Sequence, residues 1–173
     1  TTLQSFEPSF HQDLNGDGSI GIPTTTIESY GSTSLMEVGI NFEMNPAGGT
    51  GAMLKYNSSL VTAGEFGTWT PIGVEATAGG YEVAWKAAGQ DLYTVWNTDS
   101  NGNYLWSAIT GAVAGETTTL QSFEPSFHQD LNGDGTVGIP AITIESFGST
   151  SLATVGKNFE LIPHGSGLDA MLK

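Results

Sequence analysis

Gly79–Trp106 reads GGYEVAWKAAGQDLYTVWNTDSNGNYLW, and its rhythm decides the class of fold. Tyr81, Val83 and Trp85 alternate with Glu82, Ala84 and Lys86. That two-residue period is the mark of a half-buried strand. Leu92–Trp96 and Tyr104–Ile109 carry further aromatic and β-branched residues, which suit a pleated surface. Asn101-Gly102 stands between Trp96 and Tyr104 as a turn signal, as do Ala78-Gly79-Gly80 and Ala47-Gly48-Gly49. The expectation is a mainly β protein of antiparallel sheets, sandwich-like or propeller-like.

Outward from this stretch the chain repeats itself. Thr1–Gly18, TTLQSFEPSFHQDLNGDG, recurs unchanged at Thr118–Gly135, an offset of 117 residues. The match continues with drift through Ile27/Ile144, Glu28/Glu145, Tyr30/Phe147, Leu35/Leu152 and Phe42/Phe159, and ends on AMLK at Ala52–Lys55 and Ala170–Lys173. Apolar positions drift conservatively and polar ones freely (Glu37/Thr154, Ile40/Lys157), so the pattern reads as a core constraint under a variable surface. The order is A (1–56), B (57–117, tryptophan-rich) and A′ (118–173), one and a half periods of a tandem array. A weaker echo links Ile27–Met44 with Val74–Trp96. The period is long for a thin solenoid, and a string of small domains fits better. The chain begins in mid-pattern and reads as an excised piece of something longer.

Composition narrows the class. The 173 residues are 38% hydrophobic and 10% aromatic, enough for a core. Four lysines and no arginine face 18 acids, for a net charge of −14. That excludes nucleic acid, which is bound through Lys and Arg, and anionic membrane surfaces. It favours bound cations, which relieve self-repulsion. There is no cysteine, hence no disulfide or thiolate metal site. No apolar run approaches a membrane span.

Ahead of each LNGDG, residues such as Leu120, Phe123, Phe127 and Leu131 recur at spacings of three to four, predicting a short amphipathic helix with Pro125 in a first turn. It leads into Asp13-Leu14-Asn15-Gly16-Asp17-Gly18-Ser19-Ile20-Gly21, copied as Asp130-Leu131-Asn132-Gly133-Asp134-Gly135-Thr136-Val137-Gly138. Alternate oxygens at the first, third and fifth positions, glycine at the sixth and a carbonyl at the seventh form the start of an EF-hand-type or dockerin-type loop. The candidate Ca²⁺ ligands are Asp13, Asn15, Asp17 and Ser19 in one copy, and Asp130, Asn132, Asp134 and Thr136 in the other. Ile20 at the eighth position is expected to point into the core. The twelfth position holds Thr24 or Ala141, so the bidentate carboxylate of an EF-hand is absent. Glu28 and Glu145 are the nearest downstream replacements; Glu7 and Glu124 lie one helix upstream. The bland alternative is an Asx/Gly-rich turn without metal. Asp99-Ser100-Asn101-Gly102-Asn103 repeats the alternation but reads better as a hairpin turn.

Little else carries chemistry. His11 and His128 read as helix-surface histidines. Glu28, Glu75 and Glu145 occupy equivalent repeat positions, which favours structural roles over paired-carboxylate catalysis. There is no G-x-S-x-G, HExxH or phosphate-cradling loop. Trp69, Trp85, Trp96 and Trp106 cluster in segment B; a core role outweighs a sugar-binding platform.

Gly67–Leu105 followed by Ser122–Pro140, with the opening Thr26–Met44, resembles the tryptophan-rich repeat domain of large secreted bacterial proteins of the hemolysin-type calcium-binding or adhesin kind. The W-N-T-D-S-N-G-N-Y and H-Q-D-L-N-G-D-G motifs carry the resemblance. It implies an exported protein, outside the cell or on the bacterial surface, with this domain in tandem. The expected function is a non-enzymatic calcium-binding structural repeat of an adhesin or self-assembling filament. Its expected partners are neighbouring repeats or copies of itself in a head-to-tail polymer. The second reading is a carbohydrate-binding module facing polysaccharide.

Overall fold

The computed structural model describes residues 3–163; Ala170–Lys173, the second AMLK, lies outside them. A 3-10 turn, Leu3–Ser5, and a one-turn helix α1, Glu7–Phe10, lead into the first loop. Strands β1 (Thr24–Glu28), β2 (Thr33–Val38), β3 (Asn41–Pro46) and β4 (Ala52–Met53) then form an antiparallel sheet in chain order. A small hairpin follows, β5 (Lys55–Tyr56) with β6 (Ser59–Leu60). The sheet of segment B is a meander of β7 (Trp69–Ala76), β8 (Gly80–Ala87), β9 (Tyr93–Asp99) and β10 (Tyr104–Ser107). Helices α2 (Thr118–Gln121) and α3 (Glu124–Phe127) precede the second loop, and β11 (Ala141–Phe147), β12 (Thr150–Val155) and β13 (Asn158–Pro163) form a last antiparallel sheet. Among the described residues the protein is mainly β, with four antiparallel sheets and no closed barrel.

Two cores lie on opposite faces of the β7–β10 sheet. On one face Val74, Tyr81, Val83 and Trp85 meet Leu35, Phe42 and Met44 of the β1–β4 sheet, with Leu54 and Val61 from the connection. This is the sandwich-like packing of the expectation. On the other face Ala84, Tyr93, Val95 and Ile109 meet Leu120, Phe127 and Leu131 from the helical turns and loop. The period-2 pattern of β8 therefore describes a strand covered on both sides rather than half-buried: Val83 is 0% and Ala84 1% exposed. Large residues fill the sheet-to-sheet side. Small ones, Ala84 and Gly73, let the helical layer come close, and a Cβ on Gly73 would press on Gln129, Phe127 and Leu131.

The expected amphipathic helix is two four-residue turns. Thr117 caps α2 by accepting the Leu120 amide. Pro125 sits in the first turn of α3, where no amide is needed. His128 ends α3 in the left-handed region at φ 54°, as His11 ends α1 at φ 53°.

The bulges also repeat. The β1–β2 register shifts between Thr26 and Glu28, and the β11–β12 register shifts between Thr143 and Glu145. A bulge re-aims the side chain beside it, and here that side chain is the glutamate. Glu28 is 6% exposed and accepts the Tyr30 amide at 2.9 Å and, across the seam, the Val74 amide at 3.1 Å. Glu75 answers from β7, accepting the Ser32 amide and hydroxyl at 2.6 and 2.8 Å.

Candidate functional site

The two loops fold alike. Asp13 accepts the Gly16 amide at 2.6 Å and the Gly18 amide at 2.8 Å; Asp130 accepts those of Gly133 and Gly135, both at 2.7 Å. Asn15 takes the Asp17 amide and Asp17 the Ser19 amide, each at 2.9 Å. Asn132 takes the Asp134 amide at 2.9 Å and Asp134 the Thr136 amide at 2.8 Å. Each acidic or amide side chain thus holds the backbone two or more residues ahead, which winds the segment into a tight ring. Gly16 and Gly18, at φ 77° and 88°, supply the left-handed turns.

The central aspartate of each loop stays ionised. The Asn15 side-chain amide, then the Ser19 amide and Gln4, hold the Asp17 carboxyl below the usual aspartate range. Asn132, Thr136 and Gln121 do the same for Asp134. Gln4 donates to Asp17 at 2.6 Å and Gln121 to Asp134 at 3.0 Å. These glutamines were not singled out from sequence. Their signal is that both fall thirteen residues before their aspartate, in the exact copies.

The upstream glutamates have a different task from metal ligation. Glu7, 0% exposed, accepts the Leu14, Asn15 and Gly21 amides at 3.0, 3.2 and 2.9 Å. Glu124, also 0% exposed, accepts those of Leu131, Asn132 and Gly138 at 3.1, 3.3 and 2.9 Å. Each carboxylate fastens the start and end of its loop to the helical turn. Ile20, expected in the core, is 58% exposed, and its counterpart Val137 is 51% exposed. The loop is anchored by the glutamate from inside, so the eighth residue is free to face outward.

Glu28 and Glu145 do not complete the loops. Among the described residues no group of three or more Asp, Glu or His side chains converges as a metal set. Glu28 is held at the seam, and Glu145 accepts the Phe147 amide at 3.2 Å. Each loop therefore offers two carboxylates, one side-chain carbonyl and the carbonyl of Ser19 or Thr136. Those are hard oxygen donors in the number that leaves a Ca²⁺ ion two to four water ligands.

Asp99–Asn103 is a turn. Asp99 accepts the Asn101 and Asn103 amides at 2.9 and 2.8 Å, and Lys55 donates to the Asn101 carbonyl at 2.9 Å. A Cβ on Gly102 would overlap the Met53 carbonyl, so the turn is pressed against β4. His128 lies 3.9 Å from Glu75 and is largely exposed.

The tryptophans divide. Trp85 is 2% exposed and packs 4.5 Å, centroid to centroid, from half-buried Trp96. Tyr56, Phe66 and Tyr104 complete the cluster around Trp96. Phe66, Trp69, Trp85, Thr94, Trp96 and Ser107 border a cleft of about 280 Å³. Trp106 stands outside, 56% exposed.

The model of the family described as the tryptophan-rich Synechocystis species C-terminal domain matches residues 33–138, well over half of the chain. The chain belongs to this family. The matched span begins at β2 and ends at Gly138, where Glu124 closes the second loop, so it contains every buried residue of both cores, with Ile27 packing on the first from outside it. No curated protein and no solved structure matches the chain.

Proposed function

We propose that this chain is a calcium-binding structural repeat of an extracellular bacterial surface adhesin or self-assembling filament, and not an enzyme. The observation that carries the reading is the twinned loop. Two copies of Asp-x-Asn-x-Asp-Gly wind into the same ring, with the same amides on the same oxygens and the central aspartate kept ionised. Asp13, Asn15, Asp17 and the Ser19 carbonyl would hold one Ca²⁺, and Asp130, Asn132, Asp134 and the Thr136 carbonyl another. The ion's contribution is to neutralise the ring in a chain of net charge −14. Four protein oxygens per site imply weak binding, half-saturated at about 10⁻⁴–10⁻³ M as in extracellular modules. Such sites fill outside a cell and stay empty inside it, leaving the acidic chain loose for export.

The aspartates also hold the loop backbone, so their removal destabilises the fold with or without metal. The informative variant is Asp17→Asn with Asp134→Asn, which keeps an oxygen acceptor at each site and removes the charge. Thermal unfolding is measured in millimolar calcium and in chelator. The parent is expected to melt several degrees higher in calcium, and the double variant at one temperature in both. An equal midpoint for the parent in both buffers would reduce the loops to turns.

The cleft beside Trp96 and the exposed Trp106 support a second reading, a carbohydrate-binding module, since indole faces stack on sugar rings. Quenching of tryptophan fluorescence by polysaccharide, lost in Trp106→Ala, would favour it. An unresponsive spectrum would leave these residues to the core.

A further inference from the structure

Among the described residues two surfaces occur twice, once covered and once largely open, with Leu152 half-buried in the open sheet where Leu35 is fully buried in the covered one. The β1–β4 sheet buries Leu35, Phe42 and Met44 at 0%, 3% and 0% exposure beneath the β7–β10 sheet. Its copy β11–β13 pairs in the same register, Leu152 opposite Leu161 as Leu35 is opposite Met44. Yet Phe159 and Leu161 are 53% and 37% exposed. The helical turns repeat the contrast in reverse. Leu120 and Phe127 are buried on the outer face of β7–β10, whereas Leu3 and Phe10, in an identical sequence, are 52% and 64% exposed. In both covered copies the covering element is the same tryptophan-rich sheet.

We propose that the open face of β11–β13 is the docking surface for a second tryptophan-rich sheet of the 57–117 type, so that each folding unit of an array straddles two sequence repeats. The polar seam is also duplicated. Glu145 stands where Glu28 takes the Val74 amide, and Ser149-Thr150 repeat the Ser32-Thr33 pair that holds Glu75. A whole second copy of the chain does not serve as the occupant, because its own β7–β10 sheet is already covered on both faces. The proposal rests on the array reading above but not on calcium.

The test extends the chain after Lys173 with another copy of residues 56–138, beginning at the Tyr56 that follows Lys55, the order in which the period runs. Amide hydrogen exchange is followed at 158–163, in calcium and in chelator. Exchange there is expected to slow at least tenfold in the extended chain. Leu161→Asp should abolish that gain while leaving the melting of the 24–138 unit unchanged. Equal exchange in the original and extended chains overturns the proposal. So does concentration-dependent association of the original chain that protects 158–163, because the face would then take another copy. A calcium-independent melt with protected 158–163 would remove the calcium reading and leave this one standing.

Discussion

Glu124 shows how one residue secures a loop. Its carboxylate is buried and takes three backbone amides, those of Leu131, Asn132 and Gly138. Removing it strands buried donors, each at about 1–3 kcal/mol. Glu124→Ala is therefore expected to cost about 3 kcal/mol or more in chemical denaturation of the 24–138 unit. Glu7→Ala deletes the same three bonds in the first copy. That loop touches neither core, so the midpoint of the same transition should stay put. Equal losses in both variants would show that the first loop is part of the cooperative unit.

At the scale of the element, the β7–β10 sheet has to be thin in places. Gly80 opens β8 at φ 158°, and a Cβ there would overlap the Thr98 carbonyl and the Asp99 backbone on β9. No rotamer relieves a clash with backbone. Gly80→Ala is expected to destabilise by about 3 kcal/mol and to loosen the β8–β9 hairpin, read as faster amide exchange at 93–99. Gly79, one residue earlier, faces open space, and Gly79→Ala is the control expected to cost under about 1 kcal/mol. The pair separates a glycine required by close approach from one that serves the turn.

For the whole molecule the acids pull stability in two directions. Burial raises the carboxyls of Glu28, Glu82 and Glu124 above the ordinary 4.5, against the amides or hydroxyls that hold them. A raised folded value means the native state binds more protons, so these three oppose folding at neutral pH and the opposition fades on acidification. Asp17, Asp99 and Asp134 are lowered from 3.8, chiefly by side-chain bonds from Asn15, Asn103 and Asn132. Their contribution is lost as pH falls below that value. With chelator present, the melting temperature is expected to rise as pH drops from 7 toward about 4.5 and to fall below about 3.8. A flat or falling profile between about 7 and 4.5 would show that burial of the glutamates is relieved in solution.

The repeat, the β class and the two rings were legible in the sequence because they are local. A two-residue period shows a strand, and an Asp-Asn-Asp alternation builds a ring from bonds that span two to five positions. The helix before each ring was legible in type but not in form, since Pro125 and the left-handed His128 act only over single turns. Tertiary structure alone decided what the apolar residues meet. Phe10 and Phe127 stand in the same eighteen-residue sequence, and one is exposed while the other is buried. The cause is a sheet supplied from segment B, and no neighbour-to-neighbour rule carries that information. The glutamates were settled in the same way. Spacing offered Glu28 and Glu145 as the nearest replacements for the missing carboxylate, with Glu7 and Glu124 one helix upstream, and packing turned Glu7, Glu28 and Glu124 toward backbone amides.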